Sequence, residues 1–191
     1  MINDMKKHLS YKSQARVIAF VGIMAAIIEC GKISLAFLPN IEVASLFVAL
    51  FGYLFGWYGV AAAVVFVCIE PMIWGIGSWI ITYAIYWPLL AFLFMVLAKA
   101  SVKNRYLITL IAVGMTFAFG LISAVVDTAF LLGINSKFFA NFLLYYLRGI
   151  AFYTIHIACN AVTFVFLFPY LSRKLRGLNI TSIFRMKYKK L

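Results

Sequence analysis

The feature that most constrains this chain is a succession of apolar segments, each near the length a helix needs to cross a lipid bilayer. Crossing takes about 20 consecutive apolar residues, with a range near 17–25. Six helices are expected, over residues 14–36, 41–56, 58–73, 79–100, 105–133 and 139–172. Hydrophobic residues make up 66% of the chain and charged residues 12%. The mean hydropathy is +1.04, whereas soluble domains are only about half apolar. A water-soluble fold could not bury that much apolar surface. The fold class expected is an all-α membrane protein: a six-transmembrane-helix bundle forming one integral membrane domain over residues 1–191. Basic tails cover about 1–13 and 173–191. Lys6, Lys7 and Lys12 before the first apolar stretch resemble the start of a secretory signal. No small-residue cleavage site follows and five more apolar segments do, so this stretch reads as a retained first span.

Local signals set the expected breaks. Gly56-Trp57-Tyr58-Gly59 reads as a tight turn between the second and third helices. Asn40, after Pro39, is a candidate N-cap for the second. Pro71, Gly75 and Gly77 are expected to break the chain before the fourth helix, and Pro88 to kink it. No internal repeat or low-complexity linker is visible.

Basic residues orient such a bundle, because loops rich in Lys and Arg stay cytoplasmic. With six spans, Lys6, Lys7, Lys12, Arg16, Lys99, Lys103, Arg105 and the C-terminal run from Arg173 to Lys190 gather on one side. Only Lys32 and Lys137 fall on the other, with Arg148 inside a helix. Both termini are therefore expected in the cytoplasm, in a multi-pass protein of the plasma membrane. The net charge of +12 then reflects orientation and contact with anionic membrane lipids, and nucleic acid is not an expected partner.

The acids are distributed the opposite way. Of Asp4, Glu29, Glu42, Glu70 and Asp127, only Asp4 lies in a tail. The others map to the outer ends of helices one, two, three and five. Ionisable groups at membrane depth are costly and mark pairs, cavities or pathways. Here they point to a polar pocket open to the outside. Plainer roles exist for each: Glu42 at a helix N-terminus, Glu29 and Glu70 reaching for the interface, and Asp127 with Arg148 as a structural ion pair. On the sixth helix Arg148, Phe152, His156 and Asn160 recur every four residues and share a broad face. His156 and Asn160 need partners at that depth, structural or ligand. Trp74, Trp79, Tyr83, Tyr86 and Trp87 cluster around the start of the fourth helix. They suit either an interfacial belt or a pocket for a ring-bearing ligand. Cys30, Cys68 and Cys159 show no CxxC spacing and are expected as small buried residues. His156 with Cys159 does not make a metal site.

Ala15, Ala19, Gly22 and Ala26 fall within an arc of about 60° on the first helix. Small residues let another helix approach closely. That helix belongs either to this bundle or to a second protein.

Three segments carry a family resemblance: Ala15-Arg-Val-Ile-Ala19, Pro39-Asn-Ile-Glu-Val43, and Arg148-Gly-Ile-Ala-Phe-Tyr-Thr-Ile-His156-Ile-Ala-Cys-Asn160. In that order, on those helices, they resemble the substrate-binding S components of energy-coupling factor (ECF) vitamin transporters, over nearly the whole chain. The resemblance implies the capture subunit of an ECF-type ABC importer. It would bind a water-soluble vitamin in the outer half, between helices four to six, beneath the first interhelical loop and the loop before helix four. Docking through Ala15, Ala19, Gly22 and Ala26 onto a transmembrane coupling subunit, itself joined to two ATPase subunits, would topple the bundle and carry the vitamin inward. The expected substrate-binding residues are Glu29, Glu70, Trp74, Trp79, Tyr83, Trp87, Asp127, Arg148, His156 and Asn160. Cys30-Gly31-Lys32 and the Trp/Tyr-rich fourth helix are most similar to cobalamin-type members, with pantothenate, pyridoxine, folate and queuosine-like bases as other candidates. No catalytic residue, metal or cofactor beyond the bound vitamin is expected. The chain lacks GxxxxGK[ST], so ATP hydrolysis would fall to the partners. An intramembrane enzyme would need motifs such as HExxH or GxSxG, which are absent. A stand-alone secondary transporter would show repeats or broken helix pairs. A ligand-free structural subunit of a membrane complex is the remaining alternative.

Overall fold

A computed structural model describes the backbone of residues 2–39, 41–178 and 180, and side chains from residue 14 onward within those ranges. Among the described residues there are seven helices and no strand: α1 Ile2–Ser34, α2 Ala44–Phe55, α3 Trp57–Trp74, α4 Trp79–Lys99, α5 Arg105–Leu132, α6 Phe138–Arg148 and α7 Ile150–Gly177. Five of them, α1, α3, α4, α5 and α7, are long and apolar enough to cross a membrane. The chain is thus a helical membrane protein with several spans.

Helix α2 departs from the expectation of a sixth ordinary span. Its 12 residues extend about 18 Å at 1.5 Å per residue, against a hydrocarbon core near 30 Å. Its surroundings allow this. Ten of the 12 residues are buried, and α4, α3, α7 and α1 surround it, α4 most extensively. A helix sheathed in protein need not match the lipid. The α2–α4 contact is backbone on backbone: a Cβ added at Gly52 would sit 2.2 Å from the Ala91 carbonyl oxygen. Helices without a hydrophobic force between them rely on such close approach. The α2–α3 turn narrows to Gly56 alone, at φ +58, a region glycine enters without steric cost. Trp57 and Tyr58 already belong to α3.

Other boundaries also moved. Helix α2 starts at Ala44, and Asn40, the expected cap, lies outside the described residues. Pro71 is inside α3, which ends at Gly75, φ +82. Helix α4 runs through Pro88 without interruption. The basic N-terminal stretch is continuous with the first span. The expected sixth helix divides at Gly149 into α6 and α7. Helix α6 has no fully buried residue. Phe138, Asn141, Phe142, Tyr145 and Tyr146 form its half-buried stripe, laid against α5 and α7. Ring stacking continues through the break, from Phe142 to Tyr146 (6.3 Å between centroids) and from Tyr146 to Tyr153 (5.6 Å). Cys30 and Cys68 are exposed on the bundle surface, contrary to the expected burial, and Cys159 is half-buried. Arg185, Lys187, Lys189 and Lys190, assigned to the basic tail, lie outside the described residues.

Candidate functional site

At the acid-bearing end, the connection from α1 to α2 folds over the ends of α3, α4 and α7. It encloses a hollow of about 340 Å³. Leu35, Ala36, Leu38, Pro39 and Ile41 of the connection form one wall; Lys32, Glu42, Glu70, Trp74, Trp79, Tyr83 and Phe152 form the rest.

Lys32, in the last turn of α1, reaches across to α3 and donates to Glu70 Oε2. Its Nζ also lies 5.2 Å from the ring centroids of Trp74 and Tyr83 and 5.9 Å from that of Phe66. One carboxylate and three aromatic rings thus surround the ammonium, an arrangement that holds a partly desolvated cation by ion pairing and ring quadrupoles. Glu70 is 0% exposed and Glu29 7%. The two carboxyls are neighbours, and neither Glu29 oxygen has a well-formed hydrogen bond.

A second polar contact joins the connection to α7. His156 Nε2 lies 2.6 Å from Glu42 Oε1. The same carboxylate accepts from the backbone amides of Ala44 (2.5 Å) and Ser45 (3.2 Å) and from the Ser45 hydroxyl (2.8 Å). Glu42 therefore caps α2, satisfying amides that have no intrahelical partner, while anchoring the loop to α7. Cys159 Sγ adds a contact to the Glu42 carbonyl at 3.5 Å.

Edge-to-face aromatic pairs lead from the hollow into the core: Trp79–Tyr83 at 5.0 Å, Tyr83–Trp87 at 5.5 Å, Tyr86–Phe119 at 4.9 Å and Phe119–His156 at 5.9 Å. Among these rings lie buried polar atoms with no hydrogen-bond partner, including Thr82 Oγ1, Trp87 Nε1 and His156 Nδ1.

The expected site residues divide into those the fold brings together and those it does not. Glu70, Trp74, Trp79 and Tyr83 line the hollow. Glu29 lies behind Glu70, and His156 reaches the wall through Glu42. Trp87 is buried one layer deeper, packed edge-on against Phe66 at 5.6 Å. Asn160 is fully buried and donates to Thr116 Oγ1 at 2.8 Å, a cross-link between α7 and α5 away from the hollow. Asp127 accepts from Ser78 Oγ at 2.5 Å and so pins the segment before α4 to α5. Arg148 ends α6 and is exposed, outside the hollow. Among the described residues Lys32 pairs with Glu70 and His156 meets Glu42, and the plainer role of Asp127 and Arg148 as a structural ion pair is not realised. The break at Gly149 moves Arg148 off the helix that carries Phe152, His156 and Asn160.

Sequence reasoning passed over Lys32 and Glu42 as members of the wall. Lys32 had a signal: it is one of two cations on the acid-bearing side. Glu42 was assigned to a helix N-terminus, which it does serve; its contact with His156, 114 positions away, has no local trace. Ala15, Ala19, Gly22 and Ala26 are all exposed, and a Cβ at Gly22 would meet nothing within 4 Å. The stripe therefore does not pack inside this bundle. Among the described residues, no group of three or more His, Cys, Asp or Glu side chains could hold a metal ion. No protein-family model, curated protein or solved structure matches the chain.

Proposed function

We propose that the protein is a solute-capture subunit of the plasma membrane, of the kind the ECF S components represent. It takes a small water-soluble vitamin from outside and hands it to a separate coupling and ATPase module. The observation that carries this reading is the hollow itself. It combines charged groups and aromatic faces at one end of an apolar bundle, the composition expected of a small-molecule site. In this reading the sheathed α2 counts as the sixth crossing, α6 rests at the membrane surface, and both termini are cytoplasmic, as the basic residues favour.

The exposed small-residue stripe supports the docking half of the proposal. Four small residues on a bundle surface offer close approach to a partner helix. The volume bears on the ligand. About 340 Å³ is near the lower end of the roughly 300–1,000 Å³ of small-molecule pockets. That favours a compact, ring-bearing vitamin over a corrinoid such as cobalamin, which would stand largely outside the hollow. Trp74, Trp79 and Tyr83 supply faces for a flat ring, and Glu70 and Lys32 supply polar contacts at its edge.

The test is a binding screen of the detergent-purified chain against a panel of water-soluble vitamins, read by tryptophan fluorescence, since Trp74 and Trp79 border the hollow. One vitamin should bind at micromolar affinity or better without metal or ATP, and Tyr83→Ala should weaken it at least tenfold. If no vitamin in the panel changes the emission or the melting temperature, the capture reading is wrong.

A further inference from the structure

A second hollow, of about 430 Å³, lies at the opposite end of the bundle between α2, α5 and α7. Four cations border it: Lys103 and Arg105 at the start of α5, and Arg173 and Arg176 at the end of α7. Among the described residues no carboxylate lines it. Both ion pairs between described residues are at the other end of the molecule.

Among the described residues none of these exposed cations meets a carboxylate, and the three arginines have other contacts. Arg105 donates to the Tyr106 hydroxyl at 2.9 Å, and Arg173 Nε donates to the Pro169 carbonyl at 3.3 Å. The Arg176 guanidinium stacks 5.2 Å from the ring centroid of Tyr53. Tyr53 fixes the opposite wall too, donating its hydroxyl to the Val102 carbonyl at 2.7 Å. That bond secures the turn containing Ser101, a non-glycine residue at φ +56, and so positions Lys103. Four like charges converging on a shaped hollow repel one another unless an anion joins them. Four guanidinium or ammonium donors, two from the start of α5 and two from the end of α7, match the several oxygens of one phosphate group.

The geometry points to a phosphate-binding site here, and its surroundings to the source of the phosphate. Ile108 and Phe168 make an apolar floor. Leu107, Leu110, Phe166 and Tyr170 lie exposed on the neighbouring turns of α5 and α7. A ligand with an anionic head and an apolar body, an acidic phospholipid, satisfies both surfaces; free phosphate satisfies only the first. Basic pockets between membrane helices bind such headgroups. This inference does not depend on what the first hollow binds.

The experiment uses the full chain, purified in an uncharged detergent and titrated with phosphatidylglycerol, phosphatidylcholine or sodium phosphate. Native mass spectrometry and the melting midpoint are the readouts. One phosphatidylglycerol per protein should be retained and should raise the midpoint, with phosphatidylcholine inert. Arg173→Gln with Arg176→Gln should weaken binding about 25-fold, from two cations at roughly fivefold each. Lys137→Gln, a cation remote from the hollow, should change nothing. A midpoint rise with sodium phosphate equal to that with lipid would support the phosphate site with a soluble ion as its source. Equal retention of the two lipids would overturn the site. So would undiminished phosphatidylglycerol binding in the double variant; Lys103→Gln with Arg105→Gln provides the same test if that variant does not fold.

Discussion

Removing either member of the Lys32–Glu70 pair should have unequal consequences, and burial fixes the direction. Lys32→Met leaves Glu70, 0% exposed, as a buried carboxylate beside Glu29 with no cation between them. Breaking a buried pair in this way costs about 3–5 kcal/mol, and the adjacent carboxyl places the variant at the upper part of that range. Glu70→Gln leaves the ammonium instead. The Lys32 side chain is 21% exposed, keeps its contacts with Trp74, Tyr83 and Phe66, and can turn toward water. Each cation–π contact retains roughly 0.5–1 kcal/mol, and the repulsion between Glu29 and Glu70 disappears. The net cost should be near 1 kcal/mol. At about 2–4 °C per kcal/mol for a chain of this size, Lys32→Met should lower the melting midpoint by roughly 8–20 °C and Glu70→Gln by about 2–4 °C. The double variant Lys32→Met/Glu70→Gln should recover most of the larger loss. Thermal melting of the detergent-purified variants, followed by tryptophan fluorescence, measures all three. A Glu70→Gln variant at least as unstable as Lys32→Met would refute the reasoning, because it would place the cost on the cation.

Glu42→Ala should destabilise by about 2–3 kcal/mol, combining a lost cap of roughly 1 kcal/mol with a buried His156 left unpaired; Glu42→Gln, which still accepts from the α2 amides, should lose less, and chemical unfolding of both variants ranks them. A Cβ at Gly149 would sit 2.5 Å from the Tyr153 ring, so Gly149→Ala should cost about 1–3 kcal/mol as overpacking, and combining it with Tyr153→Ala should cost less than the sum of the single changes. Ala15→Trp and Ala19→Trp, both at exposed positions, should leave melting and vitamin binding unchanged while abolishing transport in cells; a fall in the melting midpoint comparable to that of Lys32→Met would show that the stripe packs within the bundle.

Helix α5, expected over residues 105–133, runs Arg105–Leu132 because a long apolar run is a local signal, and the structure adds a cap at each end. The Asn104 side chain does accept from the amides of Tyr106 and Leu107, and Gly133 does turn the chain at φ +73. The sequence also determined that the acids and the aromatic cluster would meet at one end, since helix direction and length suffice to sort residues by depth. Only the tertiary structure decided which of them share a space. Glu42 meets His156, and Lys32 meets Glu70, because four helices enclose a short α2 and bring the ends of α1, α3 and α7 together. Arg148 fell outside because a break at Gly149 changes direction without interrupting the apolar pattern. Hydrophobic periodicity reports which side of a helix avoids water. In a bilayer, where lipid and protein interior are equally apolar, it cannot report which side faces protein, and that choice rests on packing shape.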